Sequence, residues 1–235
     1  MSRGERWSQL AGVFIAALAL ALVLAVLGPR FLGAAAGPEA AIITALKRTE
    51  REGLELALPQ VGVPLTSTKH HFARITVRVE PGAERAEAWA TLDFTGRLGP
   101  TEVSSLGVER VPFVRRQGEW VPEGLAAPRL AAVVGALEAR RRALETGDRG
   151  ALRALVEAGE DGGAAEAPVE EILALRKRRY QAEAWYIRLE RDEAVASEHW
   201  KLEGELPSRP VAERGQRQHR LVRSGEQFLF SPSLM

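Results

Sequence analysis

Hydrophobic positions are spaced in three different ways along this chain. The first is an unbroken apolar run. No side chain from Ser8 to Gly28 is charged, and residues 10–28 are dominated by Ala, Leu, Val, Ile and Phe. About 20 residues rising 1.5 Å each span a hydrocarbon core of ~30 Å, so the run predicts a transmembrane helix over 10–28 behind a short tail, 1–9. Gly28-Pro29 stops it, and 29–38 reads as a tether. The second spacing is helical. Ile42, Ile43, Leu46, Leu54 and Leu58 predict a helix over 39–58, stopped by Pro59. The third is two. Ile75, Val77 and Val79 alternate with Arg74, Thr76 and Arg78, a half-buried strand over 72–80. Further strands are expected at 84–95, 102–110, 111–116 and 119–121, separated by Pro81-Gly82, Leu98-Gly99-Pro100 and Gln117-Gly118.

The second half opens in the same way with more helix. Leu130, Val133, Val134, Leu137 and Leu144 mark one helix. Asp148 is placed to cap another at 149–157, and 170–178 is a third helical stretch after the Gly-, Ala- and acid-rich loop 159–168. Strands follow at 180–191, 194–205, 212–223 and 227–230. The fold class expected is α+β: a transmembrane helix, then two tandem domains (39–124 and 128–235), each with helices packed on a bent antiparallel sheet.

The apolar run also has a bland reading, a cleaved signal peptide with Arg3 and Arg6 as its basic start and Ala34-Ala35-Ala36 as a cleavage site. The length of the apolar core and the gap before those alanines favour a retained anchor. Arg3 and Arg6 favour a cytoplasmic N-terminus, and long domains translocate largely regardless of charge. The rest of the chain is therefore expected outside the cytoplasm, on a single-pass protein of the inner membrane.

Two local matches suggest duplication. Glu87-Ala88-Trp89 pairs with Glu198-His199-Trp200, and Arg116-Gln117-Gly118-Glu119 with Arg223-Ser224-Gly225-Glu226, at nearly one period. Helices first, then a bent sheet with Trp200 in its second long strand and the closing hairpin Leu221-Val222-Arg223-Ser224-Gly225-Glu226-Gln227-Phe228: on these features the second half resembles the nuclear transport factor 2-like superfamily, or cystatin-like fold. The first half, ending Phe113-Val114-Arg115-Arg116-Gln117-Gly118-Glu119-Trp120, resembles a shortened member. The superfamily hosts enzymes, carriers and scaffolds alike. It includes bacterial envelope proteins that set such domains behind one membrane helix.

Composition narrows the chemistry. Thirty-two basic and 31 acidic residues leave a formal charge of +1, so nucleic acid is not the expected partner. With no cysteine there is no disulfide, thiolate nucleophile or Cys-based metal site. The four histidines show no metal-binding spacing, and no metal or cofactor is expected. Enzymes of the resembled fold work inside the cone between helix and sheet, which implies an inward carboxylate, imidazole or phenol. The weak candidates are Tyr180, Tyr186, His199 and Asp93, with Asp93 placed on the wetter strand face beside Trp89 and Thr91. None is expected to be catalytic. Trp89, Trp120, Trp185 and Trp200 are expected in the core, while His70-His71 and the basic clusters 138–142 and 176–179 are expected to be solvated. Together these features point to a non-enzymatic, membrane-anchored envelope protein whose domains bind other membrane or envelope proteins. Small-molecule binding or enzymatic activity in the second cone is the alternative.

Overall fold

A computed structural model describes residues 37–58, 61–156 and 167–231. The apolar segment 10–28 lies outside the described residues. Among those described, no helix is long and apolar enough to cross a membrane.

The elements run α1 (Pro38–Glu52), β1 (Glu55–Leu56), β2 (Leu65–Val79), β3 (Arg85–Leu98), β4 (Thr101–Arg116), β5 (Glu119–Pro122), α2 (Pro128–Thr146), α3 (Arg149–Ala154), α4 (Ala167–Ala174), β6 (Arg176–Leu189), β7 (Glu193–Leu206), β8 (Arg209–Ser224) and β9 (Gln227–Phe230). The first helix ends at Glu52, not 58, because Gly53 turns the backbone to φ 83°. Leu54, counted into the helical stripe from sequence, is buried just before β1, and Leu56 is buried within it. The stretch 102–116 is one strand, and Pro112 sits inside it without breaking the ladder to β3. The helix expected over 170–178 gives way at Ala174, so 176–178 opens β6.

All strands belong to one sheet, in the order β1-β2-β3-β4-β6-β7-β8-β9, with β5 paired to β4. Neighbours consecutive in the chain are antiparallel; the ladder joining the halves, β4 to β6, is parallel and runs from Glu102↔Ala184 to Gly107↔Leu189. Two β-bulges bend β2 and two bend β6. The fold class is therefore α+β, with one large bent sheet and few helices. One apolar cluster runs through both halves, from Ile42 and Leu46 of α1 to Phe228 and Phe230 of β9. A second gathers Leu144, Ile172, Leu175, Tyr180, Leu202 and Val211 under α4.

Strand lengths repeat between the halves. β3 and β7 have 14 residues each, β4 and β8 have 16, and β5 and β9 have four. Their first residues lie 108 apart in every case (193 − 85, 209 − 101, 227 − 119). Hydrogen bonds outside the ladders repeat too. Arg115 N–H donates to Glu84 O and Arg223 N–H to Asp192 O; Glu123 N–H donates to Pro112 O and Ser231 N–H to Arg220 O. This register differs from the sequence match of Trp89 with Trp200. Trp89 lies opposite Arg110 on the outer face, while Trp200 lies opposite Gly215 and packs inward.

Helix α2 is held at the junction by charges that periodicity did not place in the interior. Its N-cap, Ala127, offers no side-chain cap. Glu109 of β4 does that work instead, accepting from Leu130 N–H at 2.6 Å and Arg129 N–H at 3.1 Å. The Arg129 guanidinium reaches Val108 O and Glu190 O and lies over Phe228.

Candidate functional site

Among the described residues of the second half, the least exposed charged side chain is Glu198, at 2%. Strand parity puts it there: in β7, Ala194, Ala196 and Glu198 point to one face, and that face meets the helices. Its carboxylate is met from three other elements. Tyr180 of β6 donates its hydroxyl to Oε2 at 3.0 Å, and Trp185 of β6 donates Nε1–H to Oε1 at 3.3 Å. His219 of β8 brings Nε2 to Oε2 at 3.0 Å, and Arg140 of α2 sets Nη1 at 3.5 Å. Phe230 of β9 closes the group, packed edge-on to His219 and beneath Arg140. Trp200 stacks on Tyr180 at 6.1 Å between ring centres.

Protonation follows from these contacts. Burial opposes the charge on Glu198. Hydrogen bonds from His219 and Trp185 and the charge of Arg140 outweigh that cost and hold the carboxyl below the usual range. Burial likewise pushes His219 below its ordinary value, reinforced by Arg140 and Arg217, against the pull of Glu198. The arrangement we stand behind is an ionised Glu198 facing a neutral His219. The Nε2–H tautomer is assigned because the carboxylate oxygen beside it can only accept. Burial and the adjacent carboxylate raise the Tyr180 phenol, so it stays a donor.

A group so placed has the chemical ingredients of a general base, but substrate access decides whether they can act. Tyr180, Trp185 and Phe230 occupy the interior around Glu198, all buried. Two surface concavities lie elsewhere. One, of about 250 Å³, is lined by Val61, Leu98, Pro100, Glu138, Arg141 and Ala182 where the halves meet. The other lies at Trp89, Val108 and Arg191 on the outer sheet face. Glu198 lines neither.

The four residues singled out from sequence separate here. Tyr180 is in the cluster. His199, one position after Glu198, faces the other way and meets exposed Tyr186 ring edge to face at 5.2 Å. Asp93 is exposed on the outer face, as its strand parity required. The residues missed were Glu198, His219 and Arg140. Counting back by two from apolar Leu221 reaches His219, and forward by two from Ala196 reaches Glu198. That parity was the available signal.

Three expectations of solvation fail at particular residues, while Arg176, Lys177, Arg179 and His71 are exposed as expected. Glu138 and Arg140 are buried, because α2 lies between the sheet and the α4 cluster and buries positions around most of its circumference. Glu138 takes Arg141 in a two-pronged pair and Arg142 through Nε. Arg178 turns inward to cap the carbonyls of Leu144, Glu145 and Leu173. His70 is 6% exposed against Phe72 and near Thr49, while His71 is exposed. Among the tryptophans, Trp185 and Trp120 are core and Trp200 is partly so. Trp89 stays on the outer face, hydrogen-bonded to Glu87 and covered by Arg110. Among the described residues no group of His, Asp and Glu is placed to hold a metal ion.

The sequence matches no protein-family model and no curated protein. Solved structures partly similar to the chain are nuclear transport factor 2-like. A ketosteroid isomerase-like protein of Shewanella frigidimarina is 15% identical, with TM-score 0.36, over 42% of this chain and 90% of the other. A dehydratase-like member of the family from Streptomyces avermitilis is 14% identical, with TM-score 0.35, over 44% and 95%. An NTF2-like protein involved in plasmid conjugation is 10% identical, with TM-score 0.33, over 72% and 76%. At this level of similarity the chemistry rests on the chain's own residues.

Proposed function

We propose that this chain is a non-enzymatic scaffold built from two copies of one cystatin-like unit, tethered to the membrane by its N-terminal apolar segment and binding other envelope proteins. One observation carries the non-enzymatic reading. The inward carboxylate of the second unit is met by Tyr180, Trp185 and His219 in hydrogen bonds and by Arg140 in an ion pair, inside a cone already occupied by Trp185, Tyr180 and Phe230. A buried carboxylate held from four side chains in this way rigidifies a core. The equal strand lengths, the constant spacing and the repeated turn hydrogen bonds support the duplication.

The test is mild cross-linking of the tagged full-length protein in its native membranes, followed by mass spectrometry of what co-purifies. A reproducible set of envelope proteins, absent from a mock-tagged control, is expected. Monomeric recovery with no partner, while known complexes are captured in the same lysate, overturns the scaffold reading. Alkaline carbonate extraction tests the anchor independently: the chain stays in the pellet if 10–28 spans the bilayer and is released if it does not.

A further inference from the structure

The seam between the halves is tied twice, by the parallel ladder and by one side chain beyond its end. The ladder stops at Gly107↔Leu189. Past it β4 runs on to pair with β5, while β6 turns back into β7. Arg129, 4% exposed at the start of α2, spans the gap. Its Nη1 donates to Val108 O of β4 at 2.5 Å, and its Nη2 donates to Glu190 O, which opens the β6–β7 turn. Val108 and Arg191, the next residue of that turn, are also walls of the concavity on the outer sheet face, with Trp89 beside them. Arg129 therefore holds two sides of a surface hollow together from the interior.

The guanidinium has one donor left over. Its Nε is sealed from solvent and has no hydrogen-bond partner among the described residues. A buried donor left unmade is costly, so a charged acceptor nearby would draw it. Glu109 can become that acceptor. It is 0% exposed and lies opposite Ala90 of β3, which brings no charge. Its hydrogen bonds come from backbone, the N–H groups of Leu130, Arg129 and, at 3.4 Å, Arg110. The charge that faces it is the Arg129 guanidinium, whose own bonds go to the two carbonyls. Around Arg129 stand Arg110 of β4 and Arg223 of β8, which oppose its charge, and Asp192 of the turn, which supports it. Phe228 of β9 lies beneath.

Burial pushes the Glu109 carboxyl up to about 7, so its charge changes near neutrality. The two forms make different demands. A neutral carboxyl competes weakly for the guanidinium and leaves it on the carbonyls. A carboxylate makes charge-assisted hydrogen bonds, roughly twice as strong as neutral ones.

We infer that Glu109 and Arg129 form a proton-dependent clasp at the seam. With the carboxyl protonated, Arg129 pins the β6–β7 turn to β4. Once ionised, the carboxylate draws the guanidinium off Glu190 O, which frees the turn and widens the hollow between Val108 and Arg191. The clasp does not depend on the scaffold reading, because it needs no partner.

Hydrogen exchange of the full-length chain in mild detergent is the test, read by mass spectrometry at pH 6 and pH 8 and corrected for the pH dependence of intrinsic exchange. Two amides report on the turn: Glu190 N–H, which donates to Glu193 O, and Arg223 N–H, which donates to Asp192 O. The β2–β3 ladder reports on the fold as a whole. In the wild type, protection at the turn should fall from pH 6 to pH 8 severalfold more than protection in that ladder. Glu109→Gln has the same shape but cannot ionise, and should keep the turn protected at pH 8. Arg129→Lys keeps the charge but lacks the fork that reaches two carbonyls, so the turn should be poorly protected at both pH values. The inference is overturned if turn and ladder change alike in the wild type, since that is loss of the whole fold and not release of the turn. It is also overturned if Glu109→Gln loses protection at the turn as the wild type does.

Discussion

Tyr180 and Glu198 stand on neighbouring strands with the phenol oxygen 3.0 Å from Oε2, and the hydrogen bond between them is closed off from solvent. Through it β6 and β7 share a charge that α2 and β8 also hold, by Arg140 and His219. The cluster therefore ties four elements of the second half at one point.

Removing the carboxylate should be costly. Glu198→Ala leaves the Tyr180 hydroxyl, the Trp185 indole N–H and the Arg140 guanidinium without their shared acceptor in a buried site. Breaking one side of a buried charge pair costs about 3–5 kcal/mol, and urea denaturation should register a loss of that order. Tyr180→Phe removes one donor to a charged group and should cost about 1.5–3 kcal/mol. If Glu198→Ala costs under about 1 kcal/mol, the network does not hold the fold together.

Stability should fall on acidification, and the sign follows from the directions of two shifts. His219 is depressed in the folded state below 6.5, so the unfolded chain takes up the proton first, and stability is lost from pH 6.5 downward. Glu198 is depressed below 4.5, so a further loss begins as pH passes under that value. His219→Gln should remove the first loss and leave the second. Thermal melts across pH 4 to 8 separate them, and equal acid sensitivity of wild type and variant would refute the assignment.

Glu109 should act in the opposite sense. Burial pushes its carboxyl up to about 7, against the pull of the Leu130 and Arg129 amides and the Arg129 guanidinium. The folded state then binds the proton more tightly than the unfolded state. Its contribution is full below 4.5 and is lost as pH rises through 7. Glu109→Gln should abolish that alkaline loss, so the variant's melting temperature holds level from pH 7 to 8 where the wild type falls.

The seam between the halves should be intolerant of a side chain at Gly107. Its φ is +149°, and a Cβ there would lie 2.0 Å from Leu189 O, the residue it faces in the parallel ladder. Gly107→Ala must displace backbone on both strands, so a loss above about 3 kcal/mol is expected in urea denaturation. Gly135→Ala, in α2 where nothing lies within 4 Å, should instead be stabilising by up to ~1 kcal/mol.

Sequence by itself determined where most of the long strands run and which face each presents, because alternation is a local property with a period of two, though it missed β1 and the opening residues of β2 and β6. It placed Asp93 outward beside Trp89, put Tyr180 among the candidates, and marked the hairpin turn at Gln117-Gly118. It read the surroundings of α2 wrongly, since a helix with charges at Glu138, Arg140, Arg141 and Arg142 has the pattern of a solvated face. Only the tertiary structure buries Glu138 and Arg140, by laying sheet on one side of the helix and α4 on another. The same holds for Glu198 and His219, whose strand parity was legible but whose meeting depends on a β7–β8 register that sets His219 opposite Ala196 and so diagonally beside Glu198. The parallel joint of β4 with β6 was likewise out of reach. It links strands separated by a whole helical region, and Gly107, its clearest local sign, reads as an ordinary glycine until Leu189 is set against it.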